Sequence, residues 1–303
     1  MDEYDVIIIG SGPAGLTAGI YAGRQGLKTL ILEKGLTGGA GLTVPNMENY
    51  PGFEIITGKQ LIEYTKAQAL KYTQIKELEE VNGVEIKGKN EIIVSSVKNE
   101  YKAKKLIITT GTTHRKLGAK GEDEFLGRGV FYCAVCDGPL FVGKKIVVVG
   151  GGNTAAQGAL FLNSIGAYVA IVHRRGELRA ETYLKEKLDK EEIPIMWDTV
   201  VEEIKGEMLL NSVTLRNVKD NTTNEYEVDG VYIAIGESPN NEIAKSLGVE
   251  IDKPGFIITD KSQRTNVKGI YAAGDISIGV NQWVVACGEG AVAALSAYDD
   301  LQK

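Results

Sequence analysis

One pattern occurs twice in this chain and fixes most of what it can fold into. Val6-Ile7-Ile8-Ile9 is an unbroken apolar run that ends in Gly10-Ser11-Gly12-Pro13-Ala14-Gly15. A helix-compatible stretch from Leu16 to Arg24 follows, and then a second apolar run, Thr29 to Leu32, that stops at Glu33. Far downstream, Ile146-Val147-Val148-Val149 leads into Gly150-Gly151-Gly152-Asn153-Thr154-Ala155, a helix-compatible stretch to about Ile165, and the run Tyr168 to Val172. Short continuous apolar runs of this kind suit strands buried on both faces of a parallel sheet. A tight glycine turn from such a strand into a helix is the pattern that cradles a dinucleotide. The first glycine makes the turn and the second lets backbone approach a pyrophosphate. The third lets helix pack on strand, with Ala155 a permitted substitute, and phosphate sits at the helix N-terminus.

The two motifs share one spacing but end differently. His173 stands as far beyond Gly150 as Glu33 stands beyond Gly10. Glu33 suits the hydroxyls of a ribose and would repel a phosphate there. The second motif offers His173-Arg174-Arg175 and then Arg179, and guanidinium forks suit a 2′-phosphate. The bland reading of that cluster is a solvated basic face. The expectation is one dinucleotide without and one with a 2′-phosphate, with FAD and NADPH the natural pair.

Between the motifs lies Cys133-Ala134-Val135-Cys136-Asp137-Gly138. A Cys-x-x-Cys can ligate zinc, cycle between dithiol and disulfide, or be inert. Zinc takes four ligands, and the rest of the chain offers only Cys287, His114 and His173. No second Cys-x-x-Cys exists, so redox cycling is the favoured reading and no metal is expected.

Three further apolar runs close on a glycine: Leu106 to Gly111, Val231 to Gly236, and Ile270 to Gly274-Asp275. Each reads as a buried strand that stops where backbone passes close to a ligand, and Asp275 suits a ribityl hydroxyl or a turn. Turn-forming composition around Thr112-Thr113 and Glu237-Ser238-Pro239-Asn240 brackets the second motif. The expected fold is α/β, with two Rossmann-like (three-layer β/β/α) nucleotide-binding domains, the second inserted into the first. Residues 116–241 would form the inserted NADP-type domain, and 1–115 with 242–303 a discontinuous FAD-type domain. A helix-compatible run from Val284 to Leu301 closes the chain. Two domains also fit 303 residues, since single cores stop growing near ~250–300 residues. A net charge of −6 argues against a nucleic-acid binder. Three cysteines do not make a secreted disulfide framework. An acidic start running straight into a strand and the lack of long apolar runs lead to an expectation of a cytoplasmic protein without a membrane span.

Together these motifs resemble the low-molecular-weight thioredoxin reductases along essentially the whole chain. Cys133 to Gly138 is similar to that family's active site, and Gly150 to Ala155 with His173, Arg174, Arg175 and Arg179 to its NADPH site. Glu48-Asn49-Tyr50-Pro51-Gly52 and Gly274-Asp275 are similar to its flavin contacts. The resemblance implies flavin contacts also at Lys34, Gly38, Gly39, Val81, Gly111, Gln282, Trp283 and Val284, and nucleotide contacts at Ile235 and Gly236. It implies a homodimer whose FAD and NADPH domains rotate relative to one another, with thioredoxin or a glutaredoxin-like protein as disulfide substrate. NADPH would reduce the flavin, and the flavin the Cys133–Cys136 disulfide. Cys136 would face the flavin, Cys133 would attack the partner, and Asp137 would serve as acid–base group. From the residues alone Asp137 also reads as a capping aspartate, Cys287 as a small buried residue, and His114 as having no role.

The chain departs from the family pattern at three places. Gln157-Gly158 stand where two adjacent acids are common, Asn281 where an arginine precedes the glutamine, and Gly38-Gly39-Ala40-Gly41-Leu42 lacks the usual Gly-Gly-Gln. Relatives that take electrons from NADH, ferredoxin or deazaflavin, or that serve a peroxidase-type partner, are the alternatives. A redox-responsive binding protein without turnover is the non-enzymatic one.

Overall fold

The computed structural model describes residues 1–44, 47–88 and 91–303. The chain forms two compact units, Met1–Thr113 with Ser238–Lys303, and His114–Glu237. The second unit starts and ends a few residues ahead of the bounds expected from turn composition. In the first unit β1 (Asp2–Ile9), α1 (Pro13–Arg24), β2 (Thr29–Leu32), α2 (Gly58–Ala69), β3 (Gln74–Lys76), β4 (Val81–Gly88), β5 (Glu91–Ser96) and β6 (Glu100–Ile108) lead to β7 (Thr112–His114). The second unit holds β8 (Val130–Phe131), α3 (Ala134–Asp137), β9 (Lys145–Gly150), α4 (Asn153–Ser164), β10 (Tyr168–Val172), α5 (Thr182–Lys190) and β11 (Ile195–Met196). It continues through β12 (Thr199–Gly206), β13 (Leu210–Asn217), β14 (Thr223–Glu227) and β15 (Gly230–Ala234) to β16 (Glu237–Pro239). The chain then returns to the first unit with α6 (Glu242–Ser246), β17 (Ile270–Ala272) and α7 (Trp283–Leu301).

In the first unit the strand order is β3-β2-β1-β6-β5-β4, with β17 beside β6. β1 is parallel to β2 and β6, with Ile8 opposite both Ile31 and Ile107, while β4, β5 and β6 run antiparallel. Side chains alternate across a strand. Val6 and Ile8 therefore pack with α1 and α7, and Ile7 and Ile9 with Tyr101, Leu106, Ile257 and Ile270 on the other face. The buried faces of α1 and α7 are built from small residues, Ala14 and Ala18 on one and Ala286, Gly290, Ala293 and Ala297 on the other. Small side chains let the two helices come close, which sets the N-terminal turn of α7 against the glycine motif.

The second unit is a parallel sheet of order β11-β10-β9-β15-β8. α4 and α5 cover one face through Ala155, Ala159, Leu162, Leu184 and Leu188. The antiparallel β12-β13-β14 layer covers the other, with Val201, Ile204, Val213 and Leu215 against Val147 and Val149. This is the three-layer β/β/α arrangement.

One local expectation is corrected. The segments read as turns, around Thr112-Thr113 and Glu237 to Pro239, are short strands paired with each other. Their polar residues serve the backbone instead of turning it. The Thr110 hydroxyl donates to the Asn240 carbonyl at 2.8 Å, and the Asn240 amide donates to the Thr110 carbonyl at 2.8 Å.

Candidate active site

The first glycine motif joins β1 to α1. Gly10 has φ +103°, and a Cβ there would lie 2.3 Å from the Thr109 carbonyl oxygen, so only glycine makes this turn. Gly12 caps α1 and Pro13 opens it. Around Gly12 the space is open, with nothing nearer to a built Cβ than the Gly38 oxygen at 4.0 Å. A turn of backbone N–H groups at a helix start, with no side chain over it, suits phosphate. Glu33 is buried at the end of β2 and already engaged. One carboxylate oxygen accepts the Ser11 N–H and hydroxyl, each at 2.8 Å, and the other accepts the Gly35 N–H at 2.9 Å. A carboxylate has about four acceptor positions, which leaves room for one ribose hydroxyl.

Several of the remaining flavin-side candidates lie at α7 or its N-cap, while Val81 packs on the other face of the sheet. Asn49 donates to Gln282 at 3.1 Å, and Trp283 meets Tyr50 edge to face, ring centroids 6.4 Å apart. The Trp283 ring also closes over Gly41. Gly274 donates its N–H to Glu289 at 2.7 Å, and the Ser277 hydroxyl lies 3.2 Å from the same carboxylate oxygen. Burial pushes Glu289 up, partly offset by these two donors. Sequence reasoning did not single out Glu289; an acid inside the small-residue run of α7 was the available signal. Asp275 and Ile235 are half-buried, and Gly38 is buried. Lys34, Gly39, Val284 and Gly236 are exposed. Val81 opens β4 and is half-buried, and Gly111 has φ +61°. Cys287 is half-buried, its Sγ 3.9 Å from the Pro13 carbonyl oxygen.

The second motif joins β9 to α4. Around Gly152, which caps α4, nothing lies within 4 Å of a built Cβ. Thr154 is exposed and Ala155 buried, while the Asn153 side chain is clasped by Glu181 at 2.7 and 2.9 Å. Arg174, Arg175 and Arg179 are exposed, and no ion pair engages their guanidinium groups among the described residues. Arg175 and Arg179 line an open hollow of about 530 Å³ together with Lys185 and Glu177. His173 is separated from them. It is 6% exposed, its Nε2 lies 3.0 Å from the Glu177 carbonyl oxygen, and its ring presses on Gly151. Burial, with the Arg175 and Arg179 charges, lowers its pKa, while backbone hydrogen bonds oppose the shift.

Cys133 and Cys136 are joined as a disulfide, with Cα atoms 5.3 Å apart. The residue before them is pinned. The Tyr132 hydroxyl donates to buried Glu122, which also accepts the N–H of Leu117 at 2.8 Å and of Gly118 at 2.6 Å. The Tyr132 ring stacks on His114 with centroids 5.4 Å apart. Cys133 then caps α3, and its Sγ accepts the Cys136 N–H at 3.0 Å. Asp137 ends α3 and makes no side-chain cap bond to the next turn. Burial alone pushes its carboxyl up, with no cation opposing. Among the described residues no group of three or more His, Cys, Asp or Glu side chains could hold a metal. Nor is any helix among them long and apolar enough to cross a membrane.

The pyridine nucleotide-disulphide oxidoreductase family model matches residues 4–290. The thioredoxin reductase of Listeria innocua is 43% identical over 97% of this chain and 92% of its own length. The crystal structure of the T. acidophilum thioredoxin reductase covers 100% of both chains, with 37% identity and a TM-score of 0.96. The Lactococcus lactis thioredoxin reductase in its FR conformation covers 98% of both, with 42% identity and a TM-score of 0.94.

Proposed function

We propose that this chain, which belongs to the pyridine nucleotide-disulphide oxidoreductase family, is an NADPH-dependent reductase of a thioredoxin-like protein, with FAD as its resident cofactor. The observation that carries the reading is the Cys133–Cys136 disulfide capped onto α3, in the same unit as the second glycine motif and an arginine-lined hollow. The relatives' shared name supports thioredoxin as the acceptor.

In the first unit the open backbone at Gly12, and the free acceptor position on Glu33, fit the pyrophosphate and ribose of an FAD. Asn49, Gln282, Trp283 and the Gly274-Asp275 turn are the candidates to hold its remainder. Once bound, the flavin supplies the chemistry that accepts a hydride from nicotinamide and hands two electrons to a disulfide. In the second unit Gly152 takes the pyrophosphate, and Arg174, Arg175 and Arg179 take the 2′-phosphate. His173, neutral and buried, orients that loop.

The two sulfurs divide the work. Electrons enter at Cys136 Sγ, the S–S bond breaks, and Cys133 leaves as a thiolate that already accepts the Cys136 N–H. An amide donor lowers a thiol's pKa and steadies its thiolate. Cys133 then attacks the partner's disulfide, giving a mixed disulfide. Cys136 resolves it, releasing the reduced partner and restoring the Cys133–Cys136 bond. Asp137, protonated more readily than an ordinary carboxyl, delivers the proton to the departing thiolate.

The test is steady-state turnover of FAD-loaded protein with a disulfide-form thioredoxin and either NADPH or NADH. Faster reduction with NADPH supports the reading. Reduction driven only by a ferredoxin would move the donor assignment to that alternative.

A further inference from the structure

Beneath the second glycine motif lies a pair of residues to which the steps above give no part. Tyr232, in the middle of β15, is 4% exposed, and its ring stacks on Phe131 of β8 with centroids 5.5 Å apart. The ring lies against α4 at Gly158. A Cβ built there would stand 2.3 Å from Tyr232 Cε1 and 3.1 Å from its hydroxyl oxygen, so any side chain at 158 would displace the ring. Glycine inside a helix is unfavourable relative to alanine, yet α4 carries one opposite this tyrosine.

The hydroxyl itself is unused. Among the described residues no hydrogen bond engages it. The fully sealed side-chain polar atoms without a partner among the described residues are Thr37 Oγ1 and Thr214 Oγ1; the Tyr232 hydroxyl, also without a partner, is not one of them. Burial pushes the phenol's pKa up, with the Glu237 charge adding, so it stays a donor at neutral pH.

Strand order says what reaches it. β10, which leads to the arginines, flanks β9 on one side, and β15 and β8 flank it on the other. A dinucleotide lies across the carboxyl ends of the strands. With its pyrophosphate over Gly152 and its 2′-phosphate at Arg175 and Arg179, its other half must extend toward β15 and β8. That is also the side from which Cys133 and Cys136 follow.

We propose that the Tyr232 hydroxyl donates a hydrogen bond to the nicotinamide–ribose half of the bound nucleotide, and that Gly158 is glycine to make room for it. The proposal rests on the reading of this unit as an NADPH site and names the residue that recognises the half not held by the arginines.

Tyr232→Phe keeps the ring and removes one oxygen, so the core stays filled. Calorimetry on FAD-loaded protein, with NADP+ and with 2′,5′-ADP, which lacks the nicotinamide half, separates the two halves of the site. Losing one neutral hydrogen bond should raise the Kd for NADP+ about fivefold and leave 2′,5′-ADP unchanged. Arg175→Ala should weaken both. Unchanged NADP+ affinity in Tyr232→Phe reduces the tyrosine to core packing and overturns the proposal, as does an equal loss for 2′,5′-ADP. A native protein that binds neither ligand overturns the nucleotide reading itself, and the proposal with it.

Discussion

The backbone N–H of Cys136 donates to Cys133 Sγ at 3.0 Å, so the two sulfurs of the disulfide are chemically unequal. The sulfur that accepts the amide gives the better-stabilised thiolate. Under the proposed mechanism that makes Cys133 the leaving group and then the nucleophile toward the partner, while Cys136 is the more exposed of the two here. Cys136→Ser should therefore react with a thioredoxin-like protein activated as its thionitrobenzoate mixed disulfide, and hold it as a covalent adduct. Cys133→Ser should react far more slowly. Non-reducing electrophoresis reads both, and equal adduct yields would reverse the assignment.

Asp137 makes a prediction whose sign follows from its burial. Its raised pKa means the folded state holds the proton more tightly than the unfolded chain. Its stabilising contribution is full below the unfolded carboxyl pKa of about 3.9 and is lost as pH rises through the folded value. At neutral pH the ionised group is a liability. Asp137→Asn should raise Tm at pH 7 and leave it unchanged at strongly acid pH, while slowing turnover and flattening its pH profile. A lower Tm at pH 7 would mean that the carboxylate has a stabilising partner.

Replacing Arg174 and Arg175 with alanine removes two exposed guanidinium groups, one of them from the hollow that Arg175 shares with Arg179 and Lys185. A charged hydrogen bond contributes about 1.5–3 kcal/mol, so kcat/KM for NADPH should fall about tenfold or more while that for NADH changes little. Equal losses for both nucleotides would contradict the phosphate assignment.

Glu289 ties α7 to the turn at Gly274 through one carboxylate oxygen. Glu289→Ala strands the Gly274 N–H, and an unpaired buried donor costs about 1–3 kcal/mol. The purified variant should carry less FAD, and Glu289→Gln, which keeps an acceptor, should recover most of it. Full FAD content in the alanine variant would show that the turn holds its shape unaided.

Both Rossmann units were legible because Val6 to Ile9 and Ile146 to Val149 are apolar on every residue, which buried parallel strands require. The disulfide candidate was legible from spacing and from the scarcity of other ligands. What escaped depends on contacts between residues far apart in sequence. Nothing near Thr112 announces that it pairs with the strand at Glu237. The inward turn of His173 depends on the Glu177 carbonyl and on the bare face of Gly151. Gly158 gains its meaning only once β15 lies beside β9 and brings Tyr232 under α4.

Anaerobic titration of the FAD-loaded protein with NADPH tests the electron path most directly. Each NADPH delivers two electrons, the flavin takes two and the disulfide two. The native protein should therefore consume about two equivalents of NADPH before excess accumulates, ending with a bleached flavin and two new titratable thiols. Cys133→Ser should bleach with about one equivalent. A native protein that stops at one equivalent with its disulfide intact, or a flavin that NADPH never bleaches, would contradict the account.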